Sequence, residues 1–326
     1  MIPVTVLTGF LGSGKTTLLA RLLKSPELAR TAVIINEFGA VGIDHDLVET
    51  GEESFVQLET GCLCCTIRGD LEATMADLVA RRADGRVPPF ERIVIETSGL
   101  ADPAPILNAV MSESVRGSGL ALGSIVTTVD AVTGIATLAR ETQSARQVAV
   151  ADRLILTKTD LARPSADLLA RLAALNPRAR LTEAAFGDID SADVLETERD
   201  PLRDLHVPAG HAHDDGIQCI AVRRDRPMHA ITLTLFLQAL ADHCGSDLLR
   251  LKGIINIAER SDRPAVIHGV QHVFHAPVWL DRWPSADRST RLVLIGRGLS
   301  EPWVLHLIAA IEAEVAEIVP AAAPTV

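Results

Sequence analysis

Along the first half of the chain, short apolar runs alternate with stretches whose apolar positions recur every three or four residues. The runs Val4–Leu7, Thr31–Asn36, Arg92–Glu96, Ser124–Asp130 and Arg153–Thr157 are rich in Val, Ile and Thr, and several lack strict apolar–polar alternation. Runs of that kind predict strands buried on both faces, and the helical spacing between them predicts crossover helices. One helix is expected just after the cysteine-rich segment, where Ile67, Leu71, Met75, Leu78 and Val79 would share a face. A shorter strand is expected at Phe55–Leu58. Strand and helix repeating in this order predict an α/β fold built on a doubly wound, mostly parallel sheet.

The periodicity fades between Gly187 and Gly216 in an acidic stretch that contains His206, His211, His213, Asp214 and Asp215. This predicts a first domain over 1–186, an acidic linker over 187–216 and a second domain over 217–318. The second domain reads as a smaller α+β unit. Its expected elements are a strand at Ile217–Arg223, a helix at Ala230–His243, strands near Leu251–Ile257, Ala265–His275 and Arg291–Ile295, and a last helix from Glu301. Residues 319–326, with two prolines and little to bury, read as a frayed tail. The linker offers metal-ligating side chains, but a solvated linker has the same composition. His268 and His272 fall on one face of a predicted strand, where packing is the expectation rather than ligation.

Composition narrows the function. With 48% apolar and 22% charged residues, the 326-residue chain has the balance of a soluble globular protein. It has no tyrosine, seven phenylalanines and three tryptophans, so aliphatic side chains must fill the core. A net charge of −11 argues against a nucleic-acid partner held mainly by phosphate contacts. Small anions bound by backbone amides remain open. The apolar run Ile2–Leu11 lacks the basic flank and cleavage site of a signal peptide, and no stretch approaches a membrane span. A cytoplasmic protein without a membrane partner is expected. Its five cysteines are then not expected in disulfides, and Cys62, Cys64 and Cys65 crowd into four positions.

Gly9-Phe10-Leu11-Gly12-Ser13-Gly14-Lys15-Thr16 fits the phosphate-binding pattern G-x-x-x-x-G-K-[ST], directly after a predicted strand and with Thr17 opening a helix. Such a loop turns backbone amides towards phosphate oxygens. Lys15 reaches the β- and γ-phosphates, and the Thr16 hydroxyl is offered to Mg²⁺. Thr157-Lys158-Thr159-Asp160 ends a later strand, where an [NTS]-K-x-D box reads guanine: Asp160 would accept from the base's N1–H and amino group, donors that adenine lacks. That position favours GTP. Between the two lies Ile93–Gly99, an apolar strand ending in an acid at the sheet's carboxyl edge. Glu96 is placed to orient a water or support the Mg²⁺ shell, and Gly99 to bring its amide near the γ-phosphate. A plain turn cap is the alternative for Glu96.

The segment Gly61-Cys62-Leu63-Cys64-Cys65 reads as a thiolate site just before a helix N-terminus, where thiol pKa values fall. Sulfur ligands select Zn²⁺ or another thiophilic ion, and three local thiolates leave a fourth position open, as suits a metal that must leave again. Buried unreactive cysteines or a redox pair are the alternatives. Cys219 and Cys244 are isolated and read as core residues. Glu37, in the Asn36-Glu37-Phe38-Gly39 segment, stands where a nucleotide switch is expected and could approach either Mg²⁺ or the thiolate metal.

Taken together, GFLGSGKTTLL, NEFGAVGID, GCLCC, ETSGLADP, the TKTD box, DLLRLKGI, GVQ and LVLIGR occur in this order over nearly the whole chain, which resembles the CobW family. The resemblance implies a P-loop GTPase domain followed by a smaller C-terminal domain, with GTP hydrolysis coupled to delivery of zinc, or of cobalt in some members, to client metalloproteins. It implies Gly12, Ser13, Gly14, Lys15, Thr16 and Thr17 as the phosphate loop, Glu96 to Gly99 as the hydrolysis motif, Lys158 and Asp160 as guanine readers, and Cys62, Cys64 and Cys65 as the metal motif. Many members carry Glu where this chain has Ala40, and many have a linker richer in histidine. The motifs name neither the client nor an oligomeric state. Two other readings use the same residues: a GTP-dependent regulatory switch with a static metal site, and a P-loop kinase or transferase.

Overall fold

The structure, a computed structural model, describes residues 1–36, 70–195, 216–274 and 276–318, with the backbone alone at 55–57 and 63–67. The chain divides into two units, Met1–Glu198 and Arg199–Val326. In chain order the first unit begins with β1 (Ile2–Gly9), α1 (Lys15–Leu22), β2 (Thr31–Asn36), β3 (Phe55–Gln57), β4 (Leu63–Ile67), α2 (Leu71–Ala83), β5 (Arg92–Thr97) and α3 (Pro103–Met111). It continues with α4 (Glu113–Gly117), β6 (Leu120–Asp130), α5 (Gly134–Arg140), α6 (Thr142–Val150), β7 (Arg153–Thr157), α7 (Ala166–Leu175), β8 (Arg180–Ala184) and α8 (Ala192–Leu195).

The eight strands form one sheet in the order β3-β4-β2-β5-β1-β6-β7-β8. Every pairing from β4 to β8 is parallel, and only β3 runs antiparallel, on β4. Successive residues of β7, and nearly all of β5, are buried, so both faces of the sheet are covered, as the unalternated apolar runs require. On one face Leu18, Leu19 and Leu22 of α1 pack with Leu7, Val33, Val94, Val126 and Ile155. This packing fixes α1 beneath the strands' carboxyl ends, and that is where the phosphate loop must be held.

Three expectations change. Strand β8 does not show as an apolar run because four of its five residues are exposed or half-buried at the sheet edge. Ile67 closes β4 rather than opening a helix; α2 starts at Leu71, capped by the Asp70 carboxylate, which accepts from the amides of Glu72 and Ala73. The acidic stretch from Gly187 is not all linker: Ala192–Leu195 is helical, and Val194 is buried in the first unit's core. Residues 196–215, with the linker histidines, lie outside the described residues.

The second unit contains β9 (Ile217–Arg224), α9 (Ala230–Cys244), β10 (Leu248–Ile255), β11 (Ala265–Val270), β12 (Val273–Phe274), β13 (Val278–Trp279), β14 (Thr290–Arg297) and α10 (Glu301–Ile318). Its antiparallel sheet runs β12-β11-β10-β14-β9, with β13 on β11. Phe236 and Leu240 of α9 and Val304 and Ile308 of α10 share a core with Ile220, Leu251, Leu292 and Leu294 of the strands. The single strand expected over Ala265–His275 is broken after Val270 by Gln271, whose φ is 54°. His268 on β11 and the exposed His272 in the turn therefore do not share a strand face.

Candidate functional site

Strand β1 ends at Gly9, the loop follows, and α1 begins at Lys15 with Gly14 as N-cap at φ 90° and no side-chain cap. The first amides of α1 are thus left for an anionic ligand, which a helix N-terminus favours. Two neighbouring strands hold the loop. The Ser13 hydroxyl is 2.7 Å from Thr128 Oγ1 on β6, and Thr157 Oγ1 at the end of β7 donates to the Ser13 carbonyl at 2.7 Å. The Lys15 ammonium donates to the Gly9 carbonyl at 2.9 Å and the Phe10 carbonyl at 3.3 Å, so the cation is tied over the loop and largely buried.

Thr16 Oγ1 donates to Glu96 Oε1 at 2.6 Å. A hydroxyl spends one proton in that bond and keeps its lone pairs, so Thr16 can still face a cation. A hydroxyl beside a carboxylate at a phosphate loop is the hard-oxygen donor set that suits Mg²⁺ rather than a thiophilic metal. Glu96, 3% exposed, is joined to the loop through Thr16. Gly99 lies against the loop as well: a Cβ built there would stand 2.6 Å from the Leu11 nitrogen and 2.8 Å from its Cα. The Gly99 carbonyl accepts from Gln147 Nε2 at 3.2 Å, and the same amide reaches the Ala101 carbonyl at 3.1 Å. These contacts fix the segment that follows Glu96.

Beyond Thr157 the chain bends sharply, with Lys158 at φ 58°. Lys158 Nζ donates to Asp130 Oδ2 at 2.6 Å, and Asp130 Oδ1 accepts from the amides of Val132 and Thr133. Burial works to raise the Asp130 pKa, but the Lys158 ammonium and those two amides outweigh it and hold the carboxyl below its ordinary value. Asp160, exposed, accepts from the Phe186 amide through Oδ1 at 3.0 Å. Asp130, Thr128, Gln147 and Phe186 do not stand out in the sequence. Asp130 ends a strand at the sheet's carboxyl edge, which is a usable signal; the others are placed only by contacts distant in sequence.

The cysteine motif occupies a different setting from the expected helix N-terminus. Cys64 and Cys65 lie within β4, paired to Val33 and Ile34 of β2 and to Val56 and Phe55 of β3. Leu63, Thr66 and Ile67 make that segment a good strand, and the helix dipole of α2 begins only at Leu71. Cys62 and Glu37 lie outside the described residues. Among the described residues no group of three or more His, Cys, Asp and Glu is placed to hold a metal ion. Cys219 and Cys244 are half-buried, and burial together with Asp247 pushes the Cys244 thiol up. A cleft of about 590 Å³, lined by Pro3, Glu91, Arg92, Asp190 and Ala192 among others, lies at the opposite, amino-terminal edge of the sheet.

A phosphate loop on a parallel sheet, a carboxylate on its threonine and a Lys-x-Asp pair just past the end of β7 define a P-loop nucleotide-binding domain. Comparison with known proteins agrees. The model of the CobW/HypB/UreG nucleotide-binding domain matches residues 3–183, and that of the cobalamin synthesis protein CobW C-terminal domain matches residues 217–312. The chain belongs to the CobW family. It is similar to the zinc chaperone YjiA of Escherichia coli K12, at 34% identity over 308 residues, covering 92% of this chain and 95% of that one. It is also similar to the zinc chaperone CobW of Pseudomonas aeruginosa, at 33% identity over 348 residues, covering 92% and 88%. The crystal structure of Zn(II)-bound YjiA GTPase from E. coli superposes with a TM-score of 0.74 at 32% identity, covering 95% of this chain and 98% of that one. Among the described residues no helix is long and apolar enough to cross a membrane.

Proposed function

We propose that this chain is a GTP-hydrolysing zinc metallochaperone whose nucleotide state sets how tightly the Cys62-Leu63-Cys64-Cys65 motif holds zinc before it passes to a client metalloprotein. One observation carries the coupling: the strand bearing the cysteines and the strand bearing the hydrolysis motif both pair with β2. In the parallel register Ile34 stands between Cys65 and Ile95, and Ile35 between Thr66 and Glu96. Two interstrand steps separate β4 from β5, roughly 10 Å. The Ser98 amide, two residues past Glu96, donates to the Asn36 carbonyl at 2.9 Å, so the end of β2 is tied to the Ser98-Gly99 segment. Glu37 follows Asn36 directly.

In this reading the loop amides and Lys15 take the phosphates, Lys158 and Asp160 take the guanine, and Glu96 orients the attacking water. Thr16 and Glu96 would hold Mg²⁺, which when bound neutralises phosphate charge. A γ-phosphate that shifts Ser98 and Gly99 pulls on the end of β2 and so on the Glu37 segment. In this reading the cysteines of the motif then gain or lose a partner. Zinc is the cargo that the names of the similar proteins support, and cobalt is the thiophilic alternative. The cytoplasm, where thiols stay reduced, is the compartment we assign.

Steady-state hydrolysis of GTP and ATP in Mg²⁺, by the wild type and by Lys15→Ala, tests the enzyme. The expected result is slow GTP turnover that Lys15→Ala abolishes, with ATP hardly consumed. Equal turnover of the two nucleotides would overturn the guanine assignment, and turnover surviving in Lys15→Ala would overturn the site.

A further inference from the structure

The chain leaves β8 at Ala184 and reverses through Ala185, Phe186, Gly187 and Asp188, closed by the Asp188 amide donating to the Ala185 carbonyl at 2.8 Å. Both central residues have positive φ, 53° at Phe186 and 73° at Gly187, the backbone signs of a type I′ turn. Such turns are built from Asn, Asp and Gly, which tolerate the left-handed conformation, whereas a bulky side chain there is strained. Phenylalanine is a poor choice for making this turn. It does not serve the core either, because Phe186 is 70% exposed. Strain kept at an exposed position without a packing return points towards function.

The surroundings say which function. The Phe186 amide donates to Asp160 Oδ1 at 3.0 Å, so the residue is anchored on the carboxylate assigned to the base. At Gly187 a Cβ would stand 3.4 Å from the Thr17 carbonyl and 3.6 Å from Leu18 Cα, which rests the turn on the phosphate-loop helix. The turn is therefore pinned at both the base end and the phosphate end of the nucleotide site. It presents there an exposed aromatic side chain. We infer that Phe186 is a base-stacking residue of this chain, giving its ring to one face of the guanine whose edge Asp160 reads. The inference rests on that reading of Asp160. A base stacked on an aromatic ring gains roughly 5- to 150-fold in affinity.

The test is calorimetric binding of GDP and of inorganic tripolyphosphate to the full chain in Mg²⁺. Phe186→Asn relaxes the turn, so it is expected to melt at or above the wild-type temperature while binding GDP at least about fivefold more weakly, with tripolyphosphate affinity unchanged. Phe186→Trp is expected to keep GDP affinity. Its added emission, taken as a difference from the wild type with Trp279, Trp283 and Trp303, is expected to be quenched by GDP and not by tripolyphosphate. Wild-type GDP affinity in Phe186→Asn, or an equal loss for both ligands, overturns stacking. Asp160→Asn separates the two ideas, since it should exchange GDP for xanthosine diphosphate. If that exchange occurs while Phe186→Asn is silent, only stacking is wrong; if Asp160→Asn leaves GDP binding intact, the base site itself is misassigned and the inference falls with it.

Discussion

At the scale of single residues, the site is governed by contacts between groups far apart in sequence, and Gly99 makes one of the close ones. A methyl at that position would meet the Leu11 backbone at 2.6 Å, and the backbone of a phosphate loop cannot move aside without misplacing its amides. Gly99→Ala is expected to lower GTP turnover on the order of 10²-fold, the penalty for a reacting group displaced by about 1 Å, and single-turnover hydrolysis measures it. Asp130 gives a pH signature. Its folded pKa lies below the ordinary value of 3.8, so its contribution to stability is complete above that value and is lost as pH falls through the folded pKa. Asp130→Asn should lower the first unit's melting temperature most at neutral pH, where that contribution is whole, and so flatten its acid limb below about pH 4. A limb as steep as the wild type's would show that other carboxylates dominate. The sequence displays Lys15, Thr16, Lys158 and Asp160 because their spacing is local. It does not display Thr128, Gln147 or Asp130, whose roles exist only once β6 and α6 lie beside the loop.

At the scale of elements, β7 both supports the phosphate loop and leads into the Lys158-Thr159-Asp160 segment proposed to read the base. Thr157 donates to the Ser13 carbonyl from within a buried strand end, so Thr157→Val removes one hydrogen bond while conserving volume. The expected effect is a loss of about 1–3 kcal/mol in stability of the first unit, read by denaturant unfolding, together with weaker GDP binding. In the second unit Phe236 is fully buried between α9 and the sheet, and Phe236→Ala should destabilise that unit by about 3–5 kcal/mol. Elements buried on both faces, such as β5 and β7, are legible because a short unalternated apolar run suits a strand covered on both sides. Strand β8 is not, since an exposed edge needs no apolar residues. In β4 the cysteines suggest a metal loop more strongly than Leu63, Thr66 and Ile67 suggest a strand. The difference matters chemically. Cys64 and Cys65 lie on β4, ahead of the start of α2, and β4 pairs with β2.

At the scale of the whole molecule, the chain carries Cys64 and Cys65 on the same sheet as Glu96, with β2 shared between their strands. If nucleotide state alters zinc affinity, zinc must alter nucleotide affinity by the same factor, and couplings of this kind typically span about 5- to 150-fold. The most direct test is a titration of Zn²⁺ against a chromophoric chelator, once with Mg²⁺ and a non-hydrolysable GTP analogue and once with Mg²⁺-GDP, in the wild type and in Cys64→Ser. Tighter zinc binding in the GTP-analogue state by at least about fivefold, lost in Cys64→Ser, is the expected result. Equal zinc affinity in the two nucleotide states would contradict nucleotide-gated metal handling and leave a GTPase with a static metal site.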